Sequence, residues 1–190
     1  MQITLDWLRE KEACSESMLR FKHTFPEGAE YQDVLDALAK ENKADWAAWL
    51  MKEAGSTNDV LEVESLEVEC SLFFAGQIKI KGLVKIAKWL LAGGGIKAGE
   101  GIEAGGGIEA GGGIEAGWDI EAGGGIEAGW GIKAGEGIEA GADFGIYAGL
   151  RVRISQKTQY AIVKAKELPK NLLLGTFKQN DNSNDEVKTA

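Results

Sequence analysis

The fold is decided by residues 96–141, which read IKAGEGIEAGGGIEAGGGIEAGWDIEAGGGIEAGWGIKAGEGIEAG. An isoleucine recurs every six residues from Ile96 to Ile138, and an alanine stands two residues after each of them. In a β-strand, residues i and i+2 point to the same side, so isoleucine and alanine are predicted to face inward and the residue between them outward. Each hexad therefore predicts one short strand and one corner of a β-solenoid.

The same spacing extends beyond this segment in both directions. Counting backward, aliphatic residues occupy the isoleucine position at Leu90, Val84, Ile78, Leu72 and Leu66. Counting forward, the repeat skips two residues at 142–143 and resumes as the pairs Ile146/Ala148 and Val152/Ile154. Glycine fills the third position after each isoleucine from Gly99 to Gly141, and we expect it to supply the positive φ of a turn.

The number of hexads in one coil is left open by the spacing. With three hexads, residues 18 apart would stack, giving a mixed column of Lys97, Glu115, Lys133 and Arg151 and an acidic column of Glu103, Glu121 and Glu139. With two hexads, residues 12 apart would stack, placing Trp118 on Trp130 and forming one acidic ladder of Glu103, Glu115, Glu127 and Glu139. Favourable indole stacking and a thin core give a slight preference to two, against the repulsion of stacked like charges.

The sequence before the repeats predicts a separate helical module over residues 1–57. Apolar residues recur there at intervals of three and four, which is typical of helices. We expect Thr4 and Ser15 to cap the first two helices and Gly55 to end the last one. The predicted fold class is mainly β, with this small α module as a cap and a β-solenoid (β-helix) over 58–177. Strand-like segments at 160–165 and 171–175 close the solenoid, and 178–190 is predicted to be a mobile tail.

Composition excludes several classes of function. The chain has 21 Lys and Arg against 30 Asp and Glu, a net charge of -9, which argues against direct binding to nucleic acid or anionic membranes. No apolar stretch predicts a membrane span or a signal segment, so a cytoplasmic location is expected. The two cysteines, Cys14 and Cys70, lack metal-ligand spacing and imply no disulfide framework.

Catalytic chemistry finds no natural place in the repeats. His23 is the only histidine, and it lies in the helical module. Six-residue repeats resemble the left-handed β-helix of hexapeptide acyltransferases, a resemblance that implies a histidine base between coils. Here the solenoid has no histidine, and the order of the aliphatic and small residues is reversed. We therefore predict no enzyme, no cofactor and no metal site.

The outward surface is the remaining candidate for function. Residues 96–150 carry many more carboxylates than lysines, and exposed tryptophans among acidic residues are typical of a protein-binding hot spot. The predicted partner-binding residues are Glu103, Glu109, Glu115, Trp118, Asp119, Glu121, Glu127, Trp130, Glu136 and Glu139. The alternative interpretation is that these carboxylates keep the strands soluble and the indoles shield the glycine-rich corners.

Several segments resemble a group of uncharacterised proteins of bacterial prophages and mobile elements: LDWLREKEAC, DVLDALAKENKADWAAWLMKEAG, FFAG, GIEAG, GWGIKAG and GEGIEAG. The resemblance implies interference with a host system such as CRISPR or restriction machinery. We therefore expect a non-enzymatic anti-CRISPR or anti-restriction inhibitor whose acidic face engages a basic protein surface of a host nucleic-acid-binding complex. The alternative is a structural, self-assembling solenoid in which copies stack head to tail, and a homodimer is a further expectation.

Overall fold

The helical module forms the amino-terminal part of the computed structural model, which describes residues 1–180. Its elements are β1 (Gln2–Ile3), α1 (Leu5–Glu10), α2 (Ser15–Thr24), β2 (Ala29–Glu30), α3 (Tyr31–Lys40) and α4 (Ala44–Ala54). The Thr4 hydroxyl accepts a hydrogen bond from the Trp7 backbone N–H at 3.2 Å, which confirms the first predicted cap. The second predicted cap is wrong, because Cys14 rather than Ser15 precedes α2 and its sulfur accepts from the Ser17 N–H.

The solenoid consists of short parallel strands joined by corners. The strands of the repeat region are β3 (Val60–Val63), β4 (Leu66–Val68), β5 (Leu72–Phe74), β6 (Gln77–Ile80), β7 (Val84–Ile86), β8 (Leu90–Ala92), β9 (Ile96–Ala98), β10 (Ile102–Ala104), β11 (Ile108–Ala110), β12 (Ile114–Ala116), β13 (Ile120–Ala122), β14 (Ile126–Ala128), β15 (Ile132–Ala134), β16 (Ile138–Glu139) and β17 (Ile146–Ala148). The predicted strands from Leu66 onward, including the restart at Ile146, are confirmed.

Three further strands, β18 (Ile162–Ala165), β19 (Leu172–Leu174) and β20 (Thr176–Gln179), end the described solenoid. β18 and β19 correspond to the two closing segments that the sequence predicts at 160–165 and 171–175, whereas β20 is not among the predicted strands. Lys178 and Gln179, which open the predicted tail, belong to β20, and the rest of that prediction from residue 181 lies outside the described residues.

The strands form three parallel sheets, so one coil contains three hexads. A seven-stranded sheet runs β20-β18-β15-β12-β9-β6-β3, a five-stranded one β16-β13-β10-β7-β4, and a six-stranded one β19-β17-β14-β11-β8-β5. Ile102 pairs with Ile120 and Ile120 with Ile138, a separation of 18 residues. The solenoid prediction is therefore confirmed, and the preference for two hexads is wrong: Trp118 does not stack on Trp130, and the four-glutamate ladder does not form.

The inward row forms a core that the three sheets share. Ile108, Ile114 and Ile120 come from the three different sheets, and each is fully buried. Their alanine partners are buried as well, with Ala116 9% exposed. In a three-sided coil each isoleucine is surrounded by side chains of the two other sheets, and the small alanine leaves room for them.

The repeat glycines do not supply the positive φ that the sequence predicts for them. Positive φ occurs at Gly28, Gly55, Gly149 and Gly175, and at no glycine between residues 96 and 141. A Cβ atom on Gly117 would instead overlap the carbonyl oxygen of Gly99 in the preceding coil. Glycine recurs at this position because the backbones of adjacent coils approach too closely for any side chain.

The helical module packs against the outward side of the six-stranded sheet. The outward side chains of β5 and β8 are Phe73 and Leu91, and both are fully buried against the helices. In α3, the Gln32 side-chain amide donates to the Phe73 carbonyl at 2.8 Å and accepts from the Ala75 N–H at 3.0 Å. Gln32 therefore takes the place of a neighbouring strand at the edge of β5.

The coil is interrupted between β17 and β18. The predicted strand at Val152/Ile154 is wrong, because Ile154–Gln156 form a 3-10 turn followed by α5 (Lys157–Tyr160). The Ile154 side chain is 89% exposed, so it contributes nothing to the core. Because these residues leave the coil, Lys164 rather than Arg151 pairs with Lys133 in the next strand.

Candidate functional site

Each sheet presents one row of outward side chains, and the three rows differ in chemistry. The lysine face carries Glu62, Lys79, Lys97, Glu115, Lys133, Lys164 and Lys178 on the seven-stranded sheet. The acidic face carries Glu67, Lys85, Glu103, Glu121 and Glu139 on the five-stranded sheet. The covered face carries Phe73, Leu91, Glu109, Glu127 and Tyr147 on the six-stranded sheet. One core pattern thus supports three different surfaces.

The acidic face is a continuous row of carboxylates over three successive coils. Neighbouring strands lie about 4.8 Å apart, so Glu103, Glu121 and Glu139 repel one another at short range. The pKa of Glu121 is raised, first by partial burial and then by the charges of Asp119, Glu103 and Glu139. Lys85 approaches Glu103 at 3.9 Å at one end of the row. A shallow groove of about 490 Å³ follows this face along the solenoid.

Trp118 lies at the corner between the lysine face and the acidic face. Its backbone N–H donates to the Glu100 carbonyl at 3.3 Å, and the Glu136 N–H donates to the Trp118 carbonyl at 3.2 Å. The corner column therefore places an indole between two glutamates of the adjacent coils. The Trp118 side chain is 56% exposed, and Glu136 pairs with Lys166 at 2.5 Å. Trp118 thus adds an accessible apolar group to the border of the acidic face.

Asp119 follows Trp118 and joins two coils through its oxygen atoms. Its Oδ1 accepts from the Gly137 N–H at 2.7 Å, and its backbone carbonyl accepts from the Ile102 N–H at 2.9 Å. These bonds fix the carboxylate beside Glu121. Asp119 therefore contributes negative charge, and its hydrogen bonds also stabilise the corner that contains Trp118.

Six of the ten residues that the sequence predicts for partner binding lie together on or beside the acidic face: Glu103, Trp118, Asp119, Glu121, Glu136 and Glu139. Glu115 lies on the lysine face, where it forms two ion pairs. Its Oε1 is 3.0 Å from Lys133 Nζ, and its Oε2 is 3.4 Å from Lys97 Nζ. The hydrogen bond from Lys133 is the main reason that the pKa of Glu115 is lowered. Glu115 is therefore neutralised by its own face.

Glu109 and Glu127 lie on the covered face, beside the helical module. They border a cavity of about 110 Å³ that is also lined by Met51 of α4 and by Arg151. Burial raises the pKa of Glu109 to about 7, and the charges of Glu127 and Asp45 add to the effect. These two glutamates face the helices and are separated from the acidic row.

Trp130 lies at the corner between the covered face and the lysine face. Its backbone N–H donates to the Gly112 carbonyl at 3.1 Å. The indole meets the Tyr160 ring edge to face, with ring centroids 5.6 Å apart, and remains 51% exposed. The two exposed tryptophans therefore belong to different corners, on opposite sides of the lysine face.

Three acidic residues near the acidic face are absent from the predicted set. Glu67 opens the row on β4, Glu69 lines the groove, and Glu100 precedes Trp118 in the corner column. The backward count to Leu66 already places Glu67 at an outward position. The predicted set does not contain Glu67 because its members all come from residues 96–150.

Two residues with reactive side chains, Cys14 and His23, lie in the helical module. Hydrogen bonds with Ser17 lower the pKa of the exposed Cys14 thiol, and His23 is an exposed residue of α2. Among residues 1–180, no group of three or more His, Cys, Asp and Glu side chains could hold a metal ion. Over the same residues, no helix is long and apolar enough to cross a membrane.

The comparisons with known proteins concern mainly the helical module. A family model described as the YdhT N-terminal domain matches residues 1–58. A search of curated proteins and a search of solved structures each found no match. The matched region ends before β3, so the repeats and the acidic face lie outside it.

Proposed function

We propose that this chain is a non-enzymatic inhibitor that binds a partner protein through the acidic face. The partner surface is basic and normally holds nucleic acid. The observation that carries the proposal is the unbroken row of Glu103, Glu121 and Glu139 beside the exposed Trp118. No catalytic step is part of the proposal.

The row resembles a nucleic-acid backbone in being a linear array of negative charge. Its carboxylates repeat once per coil on a parallel sheet, so their spacing is set by backbone hydrogen bonds. A preorganised array loses little conformational entropy on binding, which favours affinity. Complementary charge also accelerates association with a basic groove.

Trp118 adds an apolar contact to the charged surface. Tryptophan is enriched among the few interface residues that dominate binding energy. Its exposed indole lies within the same corner column as Glu100 and Glu136, so an approaching partner meets apolar and acidic groups together. The proposal therefore assigns Trp118 the role of anchor and the carboxylates the role of steering.

The lysine face supports one orientation of the complex. A basic partner is repelled by Lys79, Lys97 and Lys133, whereas it is attracted by the row one corner away. Repulsion on one side and attraction on the other raise specificity for a single docking mode. The resemblance to prophage proteins adds the class of partner: a bacterial defence complex that binds nucleic acid in the cytosol.

A pair of charge reversals on different faces tests the proposal. Glu121→Lys changes the acidic face, and Glu115→Lys makes the same change of net charge on the lysine face. We expect the wild-type chain, used as bait in a bacterial lysate, to capture a basic nucleic-acid-binding protein. Capture should weaken in high salt, be lost with Glu121→Lys and persist with Glu115→Lys, and added nucleic acid should compete.

Two results would count against the proposal. One is capture that both reversals reduce equally, because net charge alone would then explain binding. The other is a complex that ignores salt and added nucleic acid. Alanine replacements complete the design: Trp118→Ala should weaken binding with little change in melting temperature, whereas Trp130→Ala should leave binding intact.

A further inference from the structure

The first coil of the solenoid exposes part of its core. Val63 of β3, which pairs with the buried Ile80, is 37% exposed, and the inward residues Leu61 and Leu66 are only half-buried. One coil further on, the corresponding Ile78 is fully buried. Within residues 1–180, β3 and β4 each pair with a strand on one side only. This end therefore offers two sheet edges with apolar side chains behind them.

The third edge at this end is already occupied. Gln32 hydrogen-bonds to the backbone of β5, and α3 packs beside it. A strand can therefore be added at β3 or β4 but not at β5. The opening lies on the lysine face and on the acidic face.

The opposite end presents a matching edge in the seven-stranded sheet. In the described chain, β20 pairs only with β18. Phe177 of β20 occupies the inward position and is half-buried, and Lys178 occupies the outward position. The corresponding residues of β3 are Leu61 inward and Glu62 outward.

Within residues 1–180, the two ends carry opposite charge. Around β3 and β4 the outward and corner positions hold Asp59, Glu62, Glu64, Glu67 and Glu69, with Lys81 paired to Glu64. Around β18 and β20 they hold Lys164, Lys170, Lys178 and Lys166, the last paired to Glu136, together with the acidic Glu167. Contact between like ends would bring like charges together, whereas contact between unlike ends brings opposite charges together.

We propose that copies of this chain associate head to tail, with β3 of one copy adding as a parallel strand to β20 of the next. In this register Leu61 meets Phe177 and Glu62 meets Lys178, so the apolar row and the charge pattern both continue across the junction. A contact between two different surfaces gives either a closed ring or an open filament, and because this register continues the coil along the solenoid axis, successive additions extend the rod. This interface uses the ends of the solenoid and leaves the row of Glu103, Glu121 and Glu139 accessible.

Sedimentation velocity of the full chain over a range of concentrations tests the association. At about 0.01 M salt, where screening reaches about 30 Å, we expect species larger than the monomer to grow with concentration. At about 1 M salt, with screening over about 3 Å, the association should weaken. A monomer at every concentration in low salt would overturn the proposal.

A charge swap locates the contact. Glu62→Lys and Lys178→Glu should each weaken self-association about fivefold, since each turns an attractive cross-strand pair into a repulsive one. An equal mixture should recover association, because Lys at 62 in one variant meets Glu at 178 in the other. Failure of the mixture to exceed both single variants would overturn the proposal.

Glu121→Lys serves as the control for this experiment. Packing of the lysine face of one copy on the acidic face of another would be disrupted by this reversal, whereas end-to-end stacking should be unaffected. If Glu121→Lys abolishes association, the lateral contact replaces the stacked one. That result would leave the binding role of the acidic face standing, so the two proposals fail separately.

Discussion

The lysine face and the acidic face have the same core and opposite surfaces. On each, an isoleucine and an alanine point inward, and one variable residue between them points out. On the lysine face, Glu115 lies between Lys97 and Lys133 and pairs with both. On the acidic face, Glu121 lies between Glu103 and Glu139 and pairs with neither. The core positions therefore set the fold, while a single outward position per hexad sets the charge of each face.

The largest loss of stability should come from changes to the buried isoleucines, which the two faces have in common. Replacing Ile114 of the lysine face or Ile120 of the acidic face by alanine should lower the free energy of unfolding by about 3 to 4 kcal/mol. The two losses should be equal, because both side chains are fully buried. Urea unfolding measures them, with the exposed Ile154→Ala as a control that changes little. Unequal losses would mean that the faces differ in packing as well as in charge.

The corner that separates the two faces should be nearly as sensitive. Gly117→Ala places a methyl group against the Gly99 carbonyl and should cost about 3 kcal/mol of unfolding free energy. Gly101→Ala, in the same corner one coil earlier, meets its nearest atom at an ordinary 3.4 Å and should cost much less. Equal effects in thermal or urea unfolding would contradict the close approach of the coils at Gly117.

The covered face offers a third environment for the same outward position. The native pKa of Glu109, about 7 against an ordinary 4.5, means that the folded state holds this proton more tightly than the unfolded state. Stability should therefore fall as pH rises from about 4.5 to 7. Glu109→Gln removes the ionisable group. It should raise the free energy of unfolding by on the order of 2 kcal/mol at pH 8 and leave it unchanged at pH 4. A gain that does not depend on pH would assign the effect to packing.

The smallest effects should have opposite signs on the two faces. Glu115→Gln removes two exposed ion pairs and should lose about 0.5 kcal/mol. Glu121→Gln relieves repulsion from Glu103 and Glu139 and should gain a similar amount. High salt should shrink both changes in melting temperature. The same sign for both variants would remove the electrostatic distinction between the faces.

The Ile-x-Ala spacing was sufficient to predict the strands, their inward residues and the class of fold. It was insufficient for the number of hexads in a coil, because the repeated isoleucine is compatible with either count. The outward residues held the missing information. Phe73 and Leu91 are 18 residues apart and apolar, as expected for one strip that the helices cover.

The sequence did not show which of the predicted site residues share a face. The predicted set took carboxylates from all of residues 96–150, and it therefore joined Glu103, Glu115 and Glu127, which the structure places on three different faces. The glycines were also misjudged, since a close approach between coils leaves no separate trace in the sequence. A positive φ and a missing Cβ both call for glycine, and only the structure distinguishes them.

Excimer fluorescence between two pyrene labels tests the three-hexad coil most directly. In a background with Cys14 and Cys70 replaced by serine, labels are attached to Glu103→Cys/Glu121→Cys or to Glu103→Cys/Glu115→Cys. The first pair lies on adjacent strands of the acidic face, and the second lies on two different faces. We expect strong excimer emission from the 103/121 pair and little from the 103/115 pair. Excimer emission from 103/115 in preference to 103/121 would contradict the three-sided coil and the acidic face with it.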